Sequence, residues 1–121
     1  MKVKTSELSG AALDWAVAVA LGHKDIITDF GAYIRIRTQP AGALTFSPTV
    51  DWAQGGPIIE REGISVWEFD DVTWKAETPL VGVDCVYEAP TPLIAAMRCY
   101  VASKLGDKVE VPDEILEGES K

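Results

Sequence analysis

Apolar positions across residues 11–21 recur at helical spacing. Leu13, Val17 and Leu21 make one ridge, and Ala12, Ala16 and Ala20 make a small-residue ridge beside it. Ser9 is placed to cap this helix and Gly22 to end it. Asp14 is its one charge, so little of the helix should face water and it should be covered on two sides. Thr91-Pro92 announces a second long helix: a capping hydroxyl, then the residue best suited to the first turn. That helix should run to Leu105 and stop at Gly106, with Leu93, Met97, Tyr100 and Val101 on one face and Ala95, Cys99 and Ala102 on another. Arg98 is its one ionised group before Lys104.

Between these helices the period falls to two. Residues 32–38 set Tyr33, Arg35 and Arg37 against Ile34 and Ile36. Residues 64–69 and 72–77 flank Asp70-Asp71 and read as a hairpin. Residues 80–88 make a further valine-rich strand, 25–28 a strand or a loop, 2–4 a short edge strand and 109–112 an extended segment. The Pro and Gly content of residues 39–43 marks a loop. Residues 47–63 have no such alternation. They read as a loop carrying Trp52, with a helical turn over 51–54, a flexible Gly55-Gly56 joint and a short helix started by Pro57 and ended by Gly63. The fold class expected is α+β, a mainly antiparallel sheet with helices packed on its faces in an α-β-α sandwich. Residues 1–112 should form one domain and 113–121 an acidic tail in which Ile115-Leu116 dock. Helices apolar on most sides imply layers on both sheet faces, or a homodimer interface.

Composition narrows the partners. The chain is 47% apolar and 25% charged over 121 residues, enough for one core without staples. Its net charge is −8, and residues 107–121 supply −4 of it through six acids against two lysines. Such a field opposes nucleic acid, whose phosphates need clustered Lys and Arg. No apolar run reaches the roughly 18 residues that span a bilayer, and the N-terminus has no signal-peptide pattern. A cytoplasmic protein is expected, with Cys85 and Cys99 reduced and buried.

With the elements placed, three segments resemble the phage NinX-type family. They are Glu7-Leu8-Ser9-Gly10-Ala11-Ala12-Leu13-Asp14-Trp15-Ala16-Val17-Ala18, the 47–63 segment, and Pro92-Leu93-Ile94-Ala95-Ala96-Met97-Arg98-Cys99-Tyr100-Val101 with Gly106 and residues 109–112. A more distant similarity, through Asp51-Trp52 and Arg98-Cys99, is to the phage α-β-α sandwich domain. These resemblances imply a bacteriophage or prophage origin, a bacterial host cell and a layered sandwich. They carry no activity with them.

The residues themselves offer little catalytic chemistry. His23 is the one histidine, so neither a zinc site nor a recognisable nucleophile elbow is indicated. Asp70-Asp71 reads as turn chemistry, and Asp84 with Glu88 as a solvated strand face. No catalytic residue, metal or cofactor is expected. The candidate ligand-binding set is Trp52, Gln54, Gly55, Gly56, Arg98 and Tyr100. Trp52 is either a core anchor or a stacking platform. Gly55-Gly56-Pro57 is either a plain turn or an anion-accepting helix start. Arg98, in an apolar helix, must find an acid, carbonyls or a ligand anion, an internal salt bridge being the expected partner. One function expected is a non-catalytic module that binds a small nucleotide-like anion, which in a phage would sequester a signal of host defence. The alternative is an acidic protein-interaction module that inhibits a host factor through Trp67 or Trp74. The first reading needs Trp52 and Arg98 to converge on one solvent-reachable cavity.

Overall fold

A computed structural model describes residues 1–29, 33–38, 42–78 and 86–119. Strand β1 (Lys2–Lys4) leads through a single 3-10 turn into helix α1 (Gly10–Ala20). Ala11, Ala12, Leu13, Asp14, Ala16, Val17 and Ala18 are all buried, so the two-sided cover expected of this helix is present. Gly22 sits at φ +89°. Its N–H donates to the Val19 carbonyl at 3.0 Å and the His23 N–H to the Ala18 carbonyl at 3.1 Å, a Schellman ending.

Strands β2 (Ile26–Asp29), β3 (Tyr33–Thr38) and β4 (Gly42–Thr45) form one antiparallel sheet. Gly42 and Ala43, expected in a loop, instead pair with Thr38 and Arg37 as the start of β4. The rest of that expected loop, residues 39–41, lies outside the described residues. Buried Ile34 and Ile36 turn this sheet toward α1.

Helix α2 (Trp52–Glu62) corrects the reading of the central segment. It starts five residues before Pro57, because the Asp51 carboxylate accepts the Ala53 N–H at 2.9 Å and caps it there. Gly55 and Gly56 lie inside the helix, and Pro57 forgoes the usual hydrogen bond to the Ala53 carbonyl. The glycine at 55 has a packing reason. A Cβ there would stand 2.6 Å from Leu93 Cδ2 and 2.6 Å from the Pro48 carbonyl oxygen. The buried Asp14 carboxylate accepts the Thr49 N–H at 3.1 Å and ties the approach to α2 onto α1.

Strands β5 (Ser65–Asp70), β6 (Thr73–Glu77) and β7 (Val86–Ala89) form a second antiparallel sheet. The hairpin turn is as expected: Asp70 Oδ1 accepts the Val72 N–H at 2.9 Å, and Asp70 pairs with Thr73. Residues 79–85, including Asp84 and Cys85, lie outside the described residues. Helix α3 (Pro92–Leu105) follows, its Thr91 hydroxyl accepting the Ile94 N–H at 3.2 Å. It packs against α1, α2 and the β5–β6–β7 sheet, and half of its residues are buried. Strand β8 (Lys108–Glu110) pairs with β1, and helix α4 (Asp113–Glu119) docks on α1 with Ile115 fully buried.

The class is α+β, with four α-helices and antiparallel pairing throughout the described residues. The described strands nevertheless form three small sheets where one was expected. Residues of the same chain bury both apolar helices, so their composition no longer calls for a dimer.

The close contact at Gly55 gives a paired expectation, read by urea unfolding. Gly55→Ala should destabilise by about 1–3 kcal/mol through overpacking. Gly56→Ala, with nothing within 4 Å of the added Cβ, should stabilise by about 0.5–1 kcal/mol.

Candidate functional site

The structure disperses the six candidate residues. Trp52, the first residue of α2, is 56% exposed and lines a pocket of about 230 Å³ with Thr49, Val50, Thr91, Pro92 and Leu93. Arg98 is not in that pocket. Its Nε donates to the Leu8 carbonyl and its Nη1 to the Glu88 carbonyl, each at 2.7 Å. The guanidinium thus joins the entry to α1 with β7, and burial pushes its pKa down from the ordinary value. Tyr100 is 2% exposed. Its hydroxyl points to the Ala20 carbonyl at 3.5 Å, and burial raises its pKa. The Gly55 N–H donates to the Asp51 carbonyl at 2.9 Å as part of α2, so it is no open anion donor.

Gln54 belongs to a different and larger cavity, of about 430 Å³. Its wall is built from three elements: Leu21 at the end of α1, Ile36, Leu44 and Phe46 from the β3–β4 region, and Pro57 and Ile58 from α2. Ile36 and Leu44 are cross-strand partners and therefore share a face. The Phe46 N–H donates to the Ile34 carbonyl at 2.7 Å and carries that face onward. Gln54, Pro57, Ile58 and Arg61 fall at i, i+3, i+4 and i+7 along one stripe of α2.

Three polar side chains complete the lining. The Gln54 Nε2 donates to the Thr45 carbonyl at 2.8 Å, and its Oε1 accepts the Ser47 N–H at 2.6 Å. That amide therefore clamps α2 to the end of β4. His23 meets the Phe46 ring edge-on, with centroids 5.7 Å apart at 67°. Arg61 brings a cation. Its Nε donates to Glu62 at 3.0 Å, and that carboxylate raises the Arg61 pKa. Arg61 in turn holds Glu62 below the usual carboxylate range, with help from Lys104 at 3.5 Å.

An apolar wall beside one permanent cation can bind an amphipathic anion. Among the described residues, no three His, Cys, Asp or Glu side chains gather as metal ligands. Sequence reasoning missed His23 and Arg61 as site residues. The signal for Arg61 was the helical stripe from Gln54, which appears only when α2 is begun at Trp52.

Fold and cavity define a small α+β protein with a concave, largely apolar cavity among its described residues. Residues 4–104 match the profile of the family described as "Bacteriophage P22, NinX", and the chain belongs to that family. Membership makes it a small phage accessory protein, and the resemblance of the three segments to that family holds. No curated protein matches the chain. Among the described residues, no helix is long and apolar enough to cross a membrane.

Two expectations test the structural assignment of Arg98 and Tyr100. Arg98→Leu should cost on the order of 3 kcal/mol in urea unfolding, because two carbonyls lose a charged donor. The raised Tyr100 pKa means that its contribution to stability is fully present below its ordinary value of 10.0 and lost as pH climbs through the folded value. Melting temperatures from pH 7 to 11 should therefore fall less steeply above pH 10 in Tyr100→Phe.

Proposed function

We propose that this phage protein is a non-catalytic binding module that takes a small nucleotide-like anion in the α1–β4–α2 cavity and acts in the cytoplasm of the bacterial host. The observation that carries this reading is the cavity itself. Its volume of about 430 Å³ suits a small ligand, its wall is largely apolar, and Arg61 stands at its edge. A planar body packs against Phe46, Ile36 and Ile58. The anionic group meets Arg61, whose guanidinium has five N–H donors; Glu62 takes the one at Nε, and the Tyr100 hydroxyl also pairs with the guanidinium. Gln54 is occupied with backbone groups, so it supports the wall and does not read the ligand. Sequestering a nucleotide signal of host defence is the role this chemistry fits in a phage.

Calorimetry against a panel of mono- and cyclic nucleotides tests the proposal. At least one should bind more tightly than about 1 mM. Arg61→Ala should weaken that binding about tenfold or more, equivalent to about 1.4 kcal/mol. Leu44→Glu, at an exposed wall position, should abolish it, and Trp52→Ala should leave it unchanged. Silence across the panel, or full affinity in Arg61→Ala, overturns the assignment.

A further inference from the structure

The β5–β6–β7 sheet is covered by helix on one face. Buried Ala76 and Ala89, and half-buried Val66 and Trp74, sit on the face that packs on α3. Trp67, Lys75 and Glu88 are register partners across the three strands, as are Ser65, Glu77 and Val86. By the alternation of side chains these six belong to the opposite face. That face is open. Trp67 is 37% exposed and Val86 41%, and Phe69, at 57%, joins them beyond an irregularity in the β5 ladder. The Lys75 ammonium lies 3.7 Å over the Phe69 ring and 3.4 Å from Glu88 Oε1. Phe69 is therefore held on this outer face, and Lys75, the one cation there among the described residues, is already engaged. Exposed carboxylates of Asp70, Asp71, Glu77 and Glu88 border this face and its hairpin turn.

We propose that this outer face docks a protein segment that presents apolar side chains between lysines or arginines. Aromatic rings within a charged rim are the composition of an interface centre. Four carboxylates against one engaged ammonium specify a basic partner by charge complementarity. The same rim disfavours the other occupants. A second copy would set carboxylates against carboxylates, and nucleic acid or an anionic lipid surface would add phosphate to them. Trp74, the other tryptophan considered as an anchor, faces α3 and takes no part. None of these residues lines the α1–β4–α2 cavity, so the proposal stands apart from the nucleotide reading.

The test uses two labelled peptides, one alternating arginine with leucine and its counterpart alternating glutamate with leucine, titrated into the whole protein by fluorescence anisotropy. The basic peptide should bind and the acidic one should not. The double variant Trp67→Ser/Phe69→Ser keeps the charge and should keep its melting temperature within a few degrees, while its affinity for the basic peptide drops about tenfold or more. Glu88→Lys should also weaken binding. Equal affinity in the double variant reduces the effect to bulk charge attraction and overturns the proposal, as does failure of either peptide to bind. A wild-type dimer in sedimentation that the double variant abolishes would assign the face to a second copy instead.

Discussion

The approach of α2 to α3 at Gly55 governs how the rest of the molecule is arranged. With no Cβ at that position, Leu93 and the Pro48 carbonyl occupy the space a side chain would need. This contact sets the rotation of α2 about its own axis. An α-helix turns about 100° per residue, so Trp52 and Gln54 point to nearly opposite sides once Gly55 faces α3. One emerges beside the start of α3, and the other beneath β4. The stripe through Pro57, Ile58 and Arg61 follows Gln54. The larger cavity is thus a consequence of helix phase: α2 leans on α3 at Gly55 and reaches the β3–β4 sheet through the Gln54 clamp, leaving a gap between them.

Local chemistry made much of the fold legible. Thr91-Pro92, Gly106, Gly22 and the Asp70 turn each act within a few residues of chain, and each stands where its chemistry requires. The start of α2 was not legible for the same reason. Gly55-Gly56-Pro57 is locally a helix breaker, yet the Asp51 cap and the contact with Leu93 override propensity from outside the segment. The short β4 escaped notice because Gly42 and Ala43 carry no strand signal, and their pairing comes from β3.

The candidate site was less legible than the fold. Trp52 and Arg98 were singled out by chemical type, a ring and a guanidinium in unusual company. Arg98 does find partners, as a charge half-buried in an apolar helix must. They are the carbonyls of Leu8 and Glu88, and backbone acceptors leave no trace in a sequence pattern. Arg61 carries no such signal, because acids flank it on both sides. Arg61 is exposed, and Glu62 holds it by Nε, so the flanking acid is the group that positions it. The tryptophan remains at the surface while the ligand-sized cavity is lined by Phe46.

The net charge of −8 acts on the two proposed surfaces in opposite directions. An anionic ligand approaching Arg61 does so against the field of the whole chain, and the attraction begins only within about a Debye length, roughly 8–10 Å at physiological salt. Added salt screens the long-range repulsion and should ease that encounter. A basic segment approaching the Trp67–Phe69 face is drawn by the same field from farther away, and added salt removes that attraction. Opposite salt dependences therefore follow from one charge distribution, because the cation at the cavity is local and the acids are spread over the surface. A small acidic protein can in this way keep an anion site selective by contact while its outer surface recruits a cationic partner by charge at a distance.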